Sequence, residues 1–210
     1  MSACPLVLAS ASPRRQALLG LIGIPFRVVP SGIEEDTLPA STSDVASFVE
    51  RAAAEKARAV AGKVGESLVL GADTVVVVGG QVLGKPEDEA DAARMLRLLS
   101  GRAHEVCTGI ALLRAEGGQG LDALCAHETT TVTFRELSEG EIRAYIASGE
   151  PMDKAGAYAI QGRGAALASR IEGCYYNVVG LPLARLVEML LQMGLAPWGW
   201  ECRQAPCPSA

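Results

Sequence analysis

Between Leu68 and Val78 the chain reads Leu-Val-Leu-Gly-Ala-Asp-Thr-Val-Val-Val-Val, a mostly apolar, β-branched stretch broken in the middle by one carboxylate. No other segment reads so clearly as a strand. Gly79-Gly80 follows as a hairpin turn into Gln81 to Leu83. A carboxylate inside such a strand must be hydrogen-bonded, paired or metal-bound, because burying it alone is very costly. Asp73 is therefore either a structural residue satisfied at a strand end, or a metal ligand or general base in a cleft. Gly71 and Ala72 leave room beside it for a ligand. The residues alone leave both readings open.

The remaining elements alternate irregularly around this strand. Leu6 to Ala9 and Phe26 to Val29 read as strands, with a short helix over Arg15 to Ile22 between them. A long helix is expected from about Asp44 to Gly62, its stripe formed by Val45, Val49, Ala52, Lys56 and Val60. Lys56 is the odd member, either a lysine snorkelling at the edge of the core or an ammonium aimed into a cleft. A helix over Glu89 to Leu99 is closed by Gly101. Strands near Glu105 to Leu113 and Thr129 to Phe134 follow, separated by a Gly-rich loop. Ser138 and Glu141 form a capping box. Two further strands are expected to flank Glu172-Gly173, and Pro182 opens a last amphipathic helix. The pattern predicts an α/β fold, a mixed sheet flanked by helices and arranged in two lobes. Residues 1–195 are expected to form one domain, with 196–210, rich in Pro and Cys, as a loosely ordered tail.

Bulk properties narrow the function classes. Apolar residues make up 49%, enough for a core without external staples. A formal net charge of −5 argues against a general nucleic-acid binder, though an acidic protein can still hold an anionic small molecule in a local basic cleft. No stretch approaches a membrane span, and the N-terminus lacks a basic leader with a long apolar run, so the default compartment is the cytoplasm. Cys4, Cys107, Cys125, Cys174, Cys202 and Cys207 include no C-x-x-C pair and read as packed or tail thiols. His104 and His127 show neither triad nor ligand spacing.

Ser10 to Arg15 is a stronger candidate. A strand ending in small residues meets a helix with Ser12 as N-cap and Pro13 in the first helical position. Such a start presents free N–H groups and the positive end of the helix dipole. The first turn normally favours acidic side chains, so Arg14 and Arg15 there ask for an anion, and phosphate suits their forks. The segment is not a Walker A loop, since its Gly-rich spacer and Gly-Lys-Ser/Thr are missing. Lys85, before Pro86, sits on a turn near the sheet's end. In Glu150 to Gly164 small residues flank Lys154 and Gln161, and an amide suits the edge of a uracil or thymine.

These four blocks in order, Leu8-Ala9-Ser10-Ala11-Ser12-Pro13-Arg14-Arg15, Gly71-Ala72-Asp73-Thr74, Gly84-Lys85-Pro86 and Gly149-Glu150-Pro151…Asp153-Lys154-Ala155-Gly156, resemble the Maf family of nucleoside triphosphate pyrophosphatases. The likeness spans roughly Val7 to Leu190. Lys154, Tyr158 and Gln161 are similar to the branch that cleaves dTTP and UTP, whereas the 7-methyl-GTP branch has Cys and Glu in place of this Lys and Gln. The resemblance implies a Maf/ITPase-like elongated sheet with a central cleft, usually dimeric. It also implies hydrolysis of dTTP and UTP, with modified pyrimidine triphosphates as further substrates, to the monophosphate and pyrophosphate. A divalent cation, Mg²⁺ or Mn²⁺, is implied as cofactor, with Asp73 and Glu35 as its candidate ligands. Asp73 matches the proton acceptor. Arg14, Thr74 and Gln161 match positions of substrate choice, and Ser10, Arg15, Glu35, Lys56, Lys85 and Lys154 match other polar cleft positions. Two rival readings remain at this point, a nucleotide-sensing regulatory protein without turnover and a pyrophosphatase for non-standard purine triphosphates.

Overall fold

The computed structural model describes residues 6–33, 44–116 and 119–195. Glu35 and its acidic loop, Cys4, and the tail from 196 onward lie outside the described residues. Within them the chain forms a mixed seven-stranded sheet: β1 (Leu6–Leu8), β2 (Phe26–Val28), β3 (Ser67–Val78), β4 (Gln81–Leu83), β5 (Ala103–Glu116), β6 (Gln119–Phe134) and β7 (Ala168–Glu172). The strand order is β2-β1-β3-β5-β6-β7, with β4 also on β3. β1 runs parallel to β2 and β3, and every other pairing is antiparallel.

β3 is the spine, and its pairing explains where a cleft can form. One edge pairs with β5 continuously from Ser67 to Val77. The other edge is shared, with Leu68–Leu70 bonded to β1 and Val76–Val78 bonded to β4. Between these two partners, Gly71 to Val75 have no strand on this edge among the described residues. Asp73 sits at the centre of that gap, just past the end of β1. Ligand sites in α/β sheets favour such places, where the chain leaves the C-terminal end of a parallel strand.

Helices cover both faces. α1 (Pro13–Leu21), α3 (Glu89–Leu99), α4 (Glu139–Ile146) and α6 (Leu183–Gln192) pack on the face carrying Leu6, Leu70, Ile110 and Phe134. α2 (Val45–Ala61) covers the other face and buries Val49, Ala53, Ala57 and Val60 against Val69, Val75 and Leu113. Burial on both faces is why β3 reads as a continuous apolar run rather than an alternating one. α2 lies unusually close to the sheet. A Cβ at Gly71 would stand 2.0 Å from the Ala53 carbonyl oxygen, and one at Gly109 would stand 2.3 Å from the Val49 carbonyl. The space beside Gly71 is thus filled by helix backbone and not by a ligand, which corrects the expectation drawn from sequence.

Local signals set most helix ends. Ser12 accepts from the Arg15 N–H with Pro13 leading α1, Asp44 caps α2 through the Ser47 N–H, and the Ser138–Glu141 box caps α4. Two segments differ from expectation. β5 runs on to Glu116 and β6 already starts at Gln119, pairing Ala111 with Cys125 and Leu112 with Leu124. The second strand expected after Glu172-Gly173 is instead the single-turn helix α5 (Tyr175–Val179). Its β-branched and aromatic composition favours a strand, but Gly173 at φ 124° and Gly180 at φ 121° turn the chain off the sheet at both ends.

Candidate active site

At the gap in β3 opens a cleft of about 1360 Å³. Ser10, Arg14, Arg15, Lys56, Asp73, Thr74, Lys85, Lys154 and Gln161, every candidate within the described residues, line it. The sheet brings these residues together from four distant parts of the sequence.

Asp73 and Lys56 form its floor. The strand period turns Asp73 to the face covered by α2, and the helix stripe turns Lys56 back toward it. Lys56 Nζ donates to Asp73 Oδ1 at 2.5 Å, and the two residues are only 7% and 6% exposed. This settles the odd lysine of the α2 stripe: it is buried, and its ammonium balances a carboxylate on the cleft floor. Buried charges are tolerated in such pairs and rarely otherwise.

The wall opposite is built from the start of α1. Arg15 donates through Nε to the Gly180 carbonyl (2.8 Å), through Nη1 to Ser10 Oγ (3.1 Å) and through Nη2 to Thr74 Oγ1 (3.1 Å). Its guanidinium is therefore fixed in orientation, unlike a solvated surface arginine. Arg14 reaches Asp153 at 3.3 Å, and Lys154 bonds the same carboxylate and the Glu150 carbonyl. Asp153 thus partly neutralises two of the expected cations. Burial alone would raise its pKa, but the Lys154 hydrogen bond and the charges of Lys154 and Arg14 hold it below the usual carboxylate range. The Arg14–Asp153 pair is exposed, and such pairs hold weakly enough for a more highly charged anion to replace the carboxylate.

The loop bearing Lys154 and Gln161 is clasped from behind. The Glu150 carboxylate accepts from the Gly164 N–H, the Arg163 N–H and the Tyr145 hydroxyl, each at 3.0 Å. The Tyr145 oxygen in turn accepts from the Ala159 N–H. Burial opposes ionisation of Glu150, yet these donors keep its carboxyl below the ordinary range. Tyr158 is buried and bonded to His104 Nε2 at 2.8 Å, with Phe134 edge-on to both rings. Gln161 itself is exposed on the cleft wall. The Gly84 carbonyl accepts from the Gly156 N–H, which ties the Lys85 turn to the same loop. Sequence reasoning does not single out Asp153, Glu150, Tyr145 or His104 as site or supporting residues. The one available signal is the four charged residues, Glu150, Asp153, Lys154 and Arg163, between Gly149 and Gly164, and it points to Glu150 and Asp153 alone. His127, by contrast, is exposed on β6 and paired with Glu50.

Comparison with known proteins bears directly on this arrangement. The family model described as "Maf-like protein" matches residues 5–193, spanning both the β3 gap and the clasped loop. The chain belongs to the Maf-like family. Relatives include a dTTP/UTP pyrophosphatase of Moorella thermoacetica, 54% identical over 92% of this chain and 97% of its own. A dTTP/UTP pyrophosphatase of Symbiobacterium thermophilum is 55% identical over 90% of this chain and 94% of its own. A solved HAM1 protein from Coxiella burnetii shares the fold, with a TM-score of 0.52 at 16% identity, covering 90% of this chain and 99% of that one.

The Maf-like family generally implies a divalent cation, and the donor set here can be tested against one. Among the described residues no group of three His, Cys, Asp or Glu side chains converges on a point. Asp73 offers hard carboxylate oxygen, but Lys56 already holds Oδ1. That set fits a Mg²⁺-like ion arriving with a triphosphate, since such ions use one or two carboxylates and complete their shell with phosphate oxygens and water. No helix among the described residues of this Maf-like chain is long and apolar enough to cross a membrane.

Proposed function

We propose that this chain hydrolyses dTTP and UTP between the α- and β-phosphates, releasing the nucleoside monophosphate and pyrophosphate. The observation that carries the reading is the convergence of all the described candidate residues on one cleft. The family membership and the relatives named dTTP/UTP pyrophosphatase support it. They do not favour the two rivals, a sensor without turnover and a non-standard purine pyrophosphatase.

The phosphates lie against the start of α1, where backbone N–H groups, the helix dipole and Arg15 stabilise negative charge. Arg14, Lys85 and Lys154 close over them, with Asp153 giving way. Asp73 accepts the proton of the water that attacks the α-phosphorus as the bond to the pyrophosphate oxygen breaks. Lys56 holds that carboxylate in place. A divalent cation, when bound, would be held by Asp73 with Glu35 as a second donor, and would supply charge neutralisation for the triphosphate and acidify the attacking water. Gln161 presents an amide to the donor–acceptor edge of the pyrimidine. Modified pyrimidine triphosphates and a homodimeric state belong to the same proposal.

The test is turnover on a panel of dTTP, UTP, CTP, ATP, GTP, ITP and XTP with separate detection of pyrophosphate and phosphate. Pyrophosphate release greatest on dTTP and UTP is expected. Binding without release would leave the sensor, and highest turnover on ITP or XTP would leave the purine enzyme.

A further inference from the structure

Thr74 stands opposite Thr108 in the β3–β5 register, and their hydroxyls are 3.0 Å apart. Thr108 is fully buried, and its Oγ1 lies 3.1 Å from the Asn177 carbonyl, which can only accept. The single hydroxyl hydrogen of Thr108 is therefore committed to Asn177. Thr74 must in turn donate to Thr108, and its lone pairs face Arg15 Nη2. The hydrogen bonds thus run in one direction, from Arg15 through Thr74 and Thr108 to Asn177. The Thr74 hydroxyl hydrogen points away from the cleft.

Asn177 controls the other end of the same guanidinium. Its side chain is fully buried, and Nδ2 donates to the Val106 carbonyl and to Thr130 Oγ1, both at 2.9 Å. Thr130 also bonds the backbone of Cys174 at the start of α5. These bonds pin α5 to β5 and β6. Three residues on, Gly180 presents the carbonyl that holds Arg15 Nε. Both the Nε and the Nη2 contacts of Arg15 therefore trace back to the Thr108–Asn177 unit.

We propose that Thr108 and Asn177 are positioning residues for the triphosphate, acting through Thr74 and Arg15 without touching substrate. The inference rests on the proposed placement of phosphates beside Arg15. Every link from Arg15 to the Asn177 backbone carbonyl is made, although Asn177 Oδ1 has no partner among the described residues, and a break at any link releases the groups downstream.

Thr108→Val is nearly isosteric and removes only the hydroxyl, while Thr108→Ser restores it. Steady-state kinetics on UTP and dTTP should show KM raised about tenfold in Thr108→Val with kcat within about threefold, the pattern of lost binding common to ground and transition states. Thr108→Ser should return KM to within about twofold of the parent by the same logic. A parental KM in Thr108→Val, a fall in kcat alone, or a Thr108→Ser variant as impaired as Thr108→Val would overturn the proposal. A second readout does not need turnover. The Arg15 Nε–H resonance in ¹⁵N-labelled protein, assigned by its loss in Arg15→Lys, should be sharp and slow to exchange in the parent and in Thr108→Ser. It should exchange rapidly in Thr108→Val, and unchanged protection there also overturns the proposal. A parent without turnover on either nucleotide would sink the proposed function, and the resonance would then decide the network alone. Should Thr108→Val melt below the assay temperature, Thr108→Ala takes its place in both measurements.

Discussion

The Lys56–Asp73 pair carries the chemistry proposed for this cleft, and Asp73→Asn separates the roles proposed for it. The amide keeps nearly the same shape and an oxygen for the Lys56 ammonium, but it cannot accept a proton at neutral pH. Turnover of UTP should fall by roughly 10²–10⁴, the usual range for losing a positioned acid–base group. Affinity for dTTP, measured by equilibrium binding, should stay within a few-fold, because the Arg15 contacts are untouched. Leaving the buried Lys56 ammonium beside a neutral amide at a 6% exposed site should cost about 3–5 kcal/mol in urea unfolding. A stable mutant with parental turnover would leave Asp73 as a core residue. The need of Asp73 for a partner was legible in the sequence, because the cost of burying a carboxylate is a local property. Its partner was not, since Lys56 reaches it only through the docking of α2 on β3. The same holds for Arg15, whose acceptors Thr74 and Gly180 lie 59 and 165 residues away.

α2 is the element whose seat matters most, because it carries Lys56 and touches β3 and β5 through bare glycine. Gly71→Ala would place a methyl group 2.0 Å from the Ala53 carbonyl oxygen, a backbone atom that cannot rotate aside. The helix must lift, so about 1–3 kcal/mol or more of stability should be lost, as for other overpacked cores. Lys56 should retreat from Asp73 at the same time. Calorimetry should show a lowered Tm, and activity per folded molecule should fall as well, which a purely global destabilisation would not cause. A parental specific activity would separate the seat of α2 from the chemistry. Helices were legible wherever their ends carried local signals: Ser12-Pro13 for α1, Asp44 for α2 and the Ser138–Glu141 box for α4. α5 was not, because Tyr-Tyr-Asn-Val-Val favours a strand by propensity and is held as a helical turn by bonds from Asn177 to β5 and β6. Gly71 reads as room for a ligand because sequence shows a missing side chain but not what fills the space.

At the scale of the whole molecule the sheet and the clasped loop are joined by a buried imidazole, and that junction predicts how stability depends on pH. His104 is 2% exposed at the start of β5, between Phe134 and Tyr158, and bonded to the Tyr158 hydroxyl. Burial pushes its pKa down from 6.5 to about 4, only partly offset by the accepting backbone carbonyl of Arg102 nearby. Between these values the unfolded chain binds a proton that the folded chain refuses, so unfolding gains as pH falls. The contribution is fully present above pH 6.5 and is lost progressively toward pH 4. From pH 7 to pH 5 the loss should be about 2 kcal/mol in urea unfolding. The carboxylates with lowered pKa, Glu150 and Asp153 among them, act in a lower window. Their stability is present above their ordinary values near 4 and is lost only below, so they contribute little between pH 7 and 5. His104→Gln keeps a hydrogen-bonding group for Tyr158 but does not titrate. The variant should therefore lose much less stability than the parent over that interval, and equal losses in the two proteins would remove His104 as the cause. Because Tyr158 lies three residues before Gln161, the same acidification should loosen the cleft wall that bears Gln161, the proposed base-reading residue, before the core. KM for UTP should accordingly rise between pH 6.5 and 5 in the parent at temperatures well below its Tm, and stay flat in His104→Gln.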